Sequence, residues 1–152
     1  MIQIPRSPLV RILLVEDFEP FRRFIRSQLQ PRLDLEVIAE VSDGLEAVQV
    51  AGQLQPDLIL LDIGLPKLNG IEAARRIRKL CPQSKIVFLS QETSADVIEE
   101  ALNSGGTGYV IKANAGSELL DAIDAITDGR TVRWYGLSGD ASPAVEQAVK
   151  QP

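Results

Sequence analysis

The sequence predicts an α/β protein with a doubly wound, five-stranded parallel sheet that carries helices on both faces. Five short apolar runs alternate with stretches of helical periodicity along the chain. The third run, residues 58–61, is apolar without alternation, which is typical of a strand buried on both faces. Alternating strands and helices imply right-handed crossovers, and these crossovers produce a parallel sheet.

The elements follow each other at regular intervals. The strands are predicted at residues 10–15, 36–41, 58–61, 86–89 and 109–111, and the helices at 19–29, 44–54, 70–80, 95–102 and 117–128. Pro20 is tolerated in the first turn of the first helix, and Pro31 ends that helix. The second strand alternates polar and apolar residues, which suits an edge strand and the strand order 2-1-3-4-5. The apolar stripe of the third helix is predicted to end at Leu80.

Length and composition indicate one soluble globular domain, with 152 residues, 45% hydrophobic and 24% charged. The formal net charge of −5 argues against nucleic-acid binding through this chain, because such binding relies on clustered lysine and arginine. We expect no membrane association, since no apolar run approaches the length of a span. The single cysteine, Cys81, excludes an internal disulfide and favours a cytoplasmic location.

The sequence contains no histidine. This excludes Ser-His-Asp and Cys-His catalysis and imidazole zinc sites in the chain. Any chemistry is therefore expected to use carboxylates, lysine and hydroxyl groups, with or without a hard metal ion.

Polar residues stand at the ends of four of the predicted strands: Glu16 and Asp17, Asp62, Ser90, and Lys112. Carboxyl ends of parallel strands meet at one edge of the sheet, where ligands bind in open α/β folds. Carboxylates about 4 Å apart repel by about 4 kcal/mol per pair at an effective dielectric constant near 20. A Mg²⁺ ion, which prefers oxygen ligands, would relieve that repulsion.

Asp62 is the candidate nucleophile, because carboxylates form aspartyl-phosphate intermediates. Lys112 is predicted to hold phosphoryl oxygens, and Ser90 to offer them a hydroxyl group. Taken singly, each residue also has an ordinary explanation as a turn former, a helix cap or a solvated strand end. Their convergence at one edge favours a functional site.

From about residue 11 to 129 the chain resembles a response-regulator receiver domain, the phosphoacceptor half of two-component signalling. The motifs are Val-Glu-Asp at 15–17, Leu-Asp-Ile-Gly-Leu-Pro at 61–66 with Gly70 after it, Phe-Leu-Ser at 88–90 and Gly-Tyr-Val-Ile-Lys at 108–112. The chain is most similar to receivers that precede a LuxR-type helix-turn-helix. Receivers share the flavodoxin-like strand order, so the order 2-1-3-4-5 rests partly on this resemblance.

The resemblance implies that Asp62 takes a phosphoryl group from a sensor histidine kinase or a histidine phosphotransfer protein. It implies a Mg²⁺ site formed by Glu16, Asp17, Asp62 and the main chain of Gly64, with Lys112 on the phosphoryl group. The chain would then be a regulator rather than an enzyme, catalysing only its own phosphorylation and dephosphorylation. A second copy of the chain is a further candidate partner.

The resemblance also implies a conformational switch made of Ser90 and Tyr109. Ser90 would move inward, and Tyr109, pointing outward at first, would rotate into the vacated space. Gln91, Gly64 and Glu92 are predicted to modulate the phosphorylation rates. Gln91 stands where the family usually has alanine or glycine, and its amide would crowd the phosphoryl group. Gly106, where alanine is commoner, is a smaller departure.

Three other functions stay open. A Mg²⁺-dependent aspartate-nucleophile phosphatase shares the metal and the nucleophile, but it commonly has a second aspartate where this chain has Gly64. A flavin-binding electron carrier needs aromatic stacking partners, and only seven aromatic residues are present. A degenerate receiver would act as an interaction module without accepting a phosphoryl group.

The domain organisation is predicted to comprise a disordered segment at 1–8, a receiver domain at 9–129 and a linker or C-terminal tail at 130–152. In that tail, Ser142 and Pro143 are predicted to begin one short helix. No output domain is recognised in it. The sequence leaves open whether this is a stand-alone receiver or a fragment cut within a linker.

Overall fold

The computed structural model describes residues 9–128, and the predicted N-terminal segment and C-terminal tail lie outside these residues. Within them, the strands are β1 (Val10–Val15), β2 (Leu35–Val41), β3 (Leu58–Asp62), β4 (Lys85–Ser90) and β5 (Gly108–Ile111). The helices are α1 (Glu19–Leu29), α2 (Gly44–Leu54), α3 (Gly70–Leu80), α4 (Ala95–Asn103) and α5 (Ala115–Thr127). A 3₁₀ turn, Lys112–Asn114, leads into α5. No helix in the part of the chain described here is long and apolar enough to cross a membrane.

The sheet is parallel throughout, with the order β2-β1-β3-β4-β5, so the predicted fold class is confirmed. β3 lies in the middle, and its four apolar residues have no exposed surface. Ile59 and Leu61 pack in the core under α2, α3 and α4, whereas Leu58 and Leu60 pack in the core under α1 and α5. Because β3 is held from both faces, the position of Asp62 at its end is fixed.

Two predicted details of the helices are wrong. α5 begins at Ala115 instead of residue 117, because the 3₁₀ turn after β5 continues directly into the helix. Leu80 does not belong to the buried stripe of α3, since it is 51% exposed. The stripe runs from Ala74 to Ile77 and then, four residues on, to Cys81, which is fully buried and donates from Sγ to the carbonyl of Ala51 at 3.2 Å.

Candidate functional site

Three carboxylates lie together where β1 and β3 end. The two strands are neighbours, with Val15 paired to Leu61, so Glu16 and Asp17 leave the sheet beside Asp62. One carboxylate oxygen from each of the three acids lies within 4.8 Å of the others. Glu16 has no exposed surface and Asp62 is 5% exposed, whereas Asp17 is exposed to solvent. The structure therefore brings together the acids that the sequence predicted to converge.

Glu16 is held through its main chain and through one carboxylate oxygen. Its amide donates to the carbonyl of Val41 at 3.0 Å, and its own carbonyl accepts from Arg22 Nη1 at 2.9 Å. Glu16 Oε2 accepts from the amide of Phe18 at 3.0 Å. The remaining oxygen, Oε1, lies 2.9 Å from Lys112 Nζ. Oε1 is thus the part of Glu16 that is left to face the other acids.

Lys112 bridges the two buried acids. Its Nζ lies 2.9 Å from Glu16 Oε1, 3.4 Å from Asp62 Oδ2 and 4.8 Å from the centre of the Phe21 ring. The contact with Glu16 is a close ion pair in which neither side chain is much exposed. The ammonium group therefore offsets part of the negative charge at the edge of the sheet.

Burial raises the pKa of the carboxyl groups of Glu16 and Asp62 above their ordinary values. For Glu16, burial is the main cause, while Lys112 and the Phe18 amide act in the opposite direction. For Asp62, burial is again the largest cause, and Lys112 and the Gly64 amide oppose it. The raised pKa values mean that burial makes the ionised carboxylates less favourable here than in water, in spite of these contacts.

The donor set fits a small divalent cation. One carboxylate oxygen each from Glu16, Asp17 and Asp62 lies within 4.8 Å of the others, and among the described residues Lys112 is the one cation close to the buried Glu16 Oε1. Such all-oxygen sites suit Mg²⁺. The carbonyl of Ile63 already accepts from the amides of Leu65 and Gly70, so Gly64 is the better candidate for a main-chain ligand. A Cβ atom on Gly64 would meet nothing within 4 Å, so this side of the site is open.

Gly70 has no room for a side chain. A Cβ atom there would come within 2.1 Å of the carbonyl oxygen of Asp62 and within 2.8 Å of Ile63 Cα. The Gly70 amide donates to the Ile63 carbonyl at 2.7 Å, which folds the loop after β3 back against the strand end. The glycine eight residues after Asp62 therefore has a steric cause: it lets α3 begin beside the site.

Ser90 and Tyr109 are joined through the main chain of Glu92. Ser90 Oγ accepts from the Glu92 amide at 3.0 Å, and the Tyr109 hydroxyl donates to the Glu92 carbonyl at 3.0 Å. The expectation that Tyr109 points outward is wrong for this structure, because its side chain is fully buried. Alternation along β5 places Tyr109 on the face opposite Val110, and there its ring lies 6.3 Å from the Phe88 ring while its hydroxyl holds the Glu92 carbonyl.

Residues 12–124 match the family model of the response regulator receiver domain. The chain belongs to this family. It is 35% identical over 123 residues to response regulator protein VraR of Staphylococcus epidermidis, which covers 81% of this chain and 59% of that protein. Against the transcriptional regulatory protein LiaR of Bacillus subtilis the identity is 35% over 121 residues, covering 80% of this chain and 57% of that protein. The receiver thus spans about three fifths of these curated relatives.

Solved structures agree with this assignment. A LuxR-family two-component response regulator from Aurantimonas sp. SI85-9A1 matches the receiver with a TM-score of 0.79 and 32% identity, covering 93% of this chain and 95% of that one. The response regulator domain of Thermotoga maritima CheB matches with a TM-score of 0.73 and 30% identity, covering 79% and 97% respectively. The relatives are regulators, which supports the predicted regulatory class over a flavin-binding carrier.

The residues predicted to modulate the phosphorylation rates lie around the acid cluster. Gly64, Gln91 and Glu92 line a cleft of about 1200 Å³ that opens over Asp62, and all three are exposed. Their effect on phosphorylation stays a prediction. Gly106, by contrast, has a packing cause, since a Cβ atom there would come within 2.6 Å of the Phe88 ring.

Sequence reasoning missed three contacts that hold the site residues in place, although it named Glu92 in another role, as a rate-modulating residue. Arg22 binds the carbonyl of Glu16, Phe21 lies under the Lys112 ammonium group, and Glu92 joins the two switch residues through its main chain. One signal was available for Arg22: it lies in the first turns of the helix that directly follows the acid pair. The other two contacts depend on how α1 and the loop after β4 pack against the sheet.

Proposed function

We propose that this receiver domain accepts a phosphoryl group on Asp62 from a phosphohistidine of a sensor histidine kinase or a histidine phosphotransfer protein. The observation that supports it most is the nearly buried Asp62 carboxylate, which ends the central strand beside two further acids and Lys112. The 152 residues contain no histidine, so the donor imidazole lies outside them.

In the proposed reaction, a carboxylate oxygen of Asp62 attacks the phosphorus atom while the bond between phosphorus and the donor nitrogen breaks. Lys112 exchanges its contact with Asp62 for the oxygens of the transferred group. The Gly64 amide, 3.3 Å from Asp62 Oδ1, keeps the carboxylate oriented. When bound, Mg²⁺ would be held by Glu16, Asp17, Asp62 and the Gly64 carbonyl, and it would supply positive charge to the phosphoryl oxygens.

The direct test uses the purified protein and a small-molecule phosphodonor such as acetyl phosphate. With Mg²⁺ the chain is expected to gain one base-labile phosphoryl group, and with a chelator it is expected to gain none. Intact-protein mass spectrometry measures the gain. Continuous release of inorganic phosphate without a detectable phosphoprotein would favour the phosphatase alternative. Failure to incorporate phosphate from either acetyl phosphate or a histidine donor would favour the degenerate receiver.

The proposed output of the domain is a switch that starts at Ser90. An aspartyl phosphate carries a charge near −2 and is a strong acceptor for the Ser90 hydroxyl. Ser90 Oγ also accepts from the Glu92 amide, so movement of Ser90 would shift the loop after β4. The Tyr109 hydroxyl donates to the Glu92 carbonyl in the same loop, so the shift would reach Tyr109. The surface affected is formed by α4, β5 and α5. The phosphoryl group would shift the population between two packings of this surface.

Beryllofluoride, a phosphoryl mimic, is therefore expected to change self-association or partner binding through α4, β5 and α5. Analytical ultracentrifugation and NMR shift mapping, each with Mg²⁺ and with or without the mimic, measure the effect. Asp62→Asn is the matched control and should not respond. Nucleic-acid binding by this chain is not expected at a net charge of −5. Shift changes confined to the loops around Asp62, with Tyr109 and its neighbours unmoved, would contradict the proposed route.

A further inference from the structure

We propose that Arg22 is a positioning residue for the metal site, because it fixes the turn that presents Glu16 and Asp17. The proposal rests on the Mg²⁺ site of the proposed function and goes beyond it by assigning the residue that holds two of its ligands. Arg22 contacts neither the phosphoryl site nor the third acid in the structure. It acts through the main chain of Glu16.

The first observation is the hydrogen bond from Arg22 Nη1 to the carbonyl oxygen of Glu16, at 2.9 Å. This carbonyl follows the end of β1 and precedes α1, so neither the sheet ladder nor the helix supplies its partner. Glu16 has no exposed surface, and buried carbonyl groups are almost always paired. Removing the guanidinium group would leave the carbonyl to find another donor, and the turn would have to move.

The second observation is that Arg22 is also anchored by two acidic side chains that do not belong to the metal site. Arg22 Nε lies 3.3 Å from Glu40 Oε1 in β2, and Nη2 lies 3.5 Å from Glu19 Oε2 in the first turn of α1. The side chain is 20% exposed, compared with 71% for the neighbouring Arg23. One planar guanidinium group therefore links β2, α1 and the turn that contains Glu16.

These contacts determine which part of Glu16 is free. Val41 holds its amide, Arg22 holds its carbonyl and Phe18 holds Oε2, so Oε1 keeps its direction toward Lys112 and the other acids. Groups that orient metal ligands typically contribute about 10- to 100-fold to metal affinity. Loss of the Arg22 contact is therefore expected to appear as weaker Mg²⁺ binding.

The sign of the effect separates positioning from simple charge. A positive charge near three carboxylates repels Mg²⁺, so an Arg22 that acted only by charge would make the ion bind more tightly after Arg22→Gln. A positioning role gives the opposite result. Arg22→Lys keeps the charge but replaces the planar fork by a single ammonium group, which cannot bridge Glu16 and Glu40 in the same way.

The experiment is an MgCl₂ titration of the full chain, followed by two-dimensional NMR at about 0.15 M ionic strength, where surface charges are screened. Arg22→Gln is expected to weaken Mg²⁺ binding about 10-fold, and Arg22→Lys about 3-fold. Arg23→Gln is the matched control: Arg23 pairs only with exposed Glu19 among the described residues, at 2.9 Å, so its Kd should stay within about twofold of wild type.

Amide spectra without metal show whether each variant is folded, and Arg22→Lys decides the question if Arg22→Gln does not fold. A folded Arg22 variant that is less stable but binds Mg²⁺ as wild type does would overturn the proposal, because its role would be structural only. Tighter binding by Arg22→Gln would overturn it in favour of a charge effect. A wild-type protein that binds no Mg²⁺ would refute the metal site itself, and the role of Arg22 with it.

Discussion

Asp62→Asn is expected to abolish phosphoryl transfer to this receiver domain. An amide oxygen is a far weaker nucleophile than a carboxylate, so incorporation from a phosphodonor should fall by at least about 10³-fold, the scale seen when a catalytic nucleophile is lost. Asparagine has nearly the same shape as aspartate, and the substitution removes a negative charge from a residue that is only 5% exposed. The fold should therefore persist. Quantitative mass spectrometry over a time course measures the rate.

Asp96→Asn is the matched control for this substitution. Asp96 is an exposed aspartate in the first turn of α4, outside the acid cluster. Its replacement by asparagine makes the same chemical change at a place away from the proposed acceptor. Its phosphorylation rate should equal that of wild type. If Asp62→Asn incorporates the group as fast as wild type, the acceptor is another residue, and peptide mapping would then identify it.

The double variant Glu16→Gln with Asp17→Asn is expected to lose Mg²⁺ binding and to gain stability in metal-free buffer. Burial raises the pKa of Glu16, which shows that its charged form is disfavoured at this place. Relief of like-charge repulsion should raise the free energy of unfolding by about 1–3 kcal/mol after solvent screening. The gain is limited because the 2.9 Å ion pair between Glu16 and Lys112 is lost at the same time.

Denaturant midpoints with and without Mg²⁺ measure both effects. Wild type should be stabilised by the ion and the double variant should not respond to it. Asp17→Asn alone is the control, because Asp17 is exposed and its removal should weaken Mg²⁺ binding with less change in metal-free stability. A double variant that is less stable than wild type without metal would refute the view of a crowded, destabilising acid cluster.

The strand ends could be predicted from the sequence because residue type and position coincide there. An apolar run followed by an acid, a serine or a lysine fixes both the end of a strand and the group that projects from it, as at Asp62 and Ser90. Interactions between distant elements could not be predicted in this way. The bond from Arg22 to the Glu16 carbonyl and the buried direction of Tyr109 depend on how helices pack on the sheet.

Helix boundaries show the same limit on a smaller scale. Leu80 and Cys81 are adjacent and both apolar, so the periodicity of α3 allowed either to close the buried stripe. Cys81 takes that place because its amide still donates to the Ile77 carbonyl, at 2.7 Å, and its thiol reaches the carbonyl of Ala51. The contact with Ala51 of α2 therefore decides whether Leu80 or Cys81 closes the buried stripe. A contact between two helices cannot be inferred from the periodicity of α3 alone.

The buried Tyr109 bears on the dynamic range of the domain as a signalling device. Its ring is fully buried and its hydroxyl donates to the Glu92 carbonyl at 3.0 Å, so the inward position finds its partners within the chain itself. If a partner recognises the inward tyrosine, phosphorylation can amplify the output by no more than the reciprocal of the fraction that is inward at rest. A resting fraction of about one half leaves only about a twofold response, with a high basal output. Because the main chain of Glu92 joins Ser90 to Tyr109, the loop before α4 would share this limit.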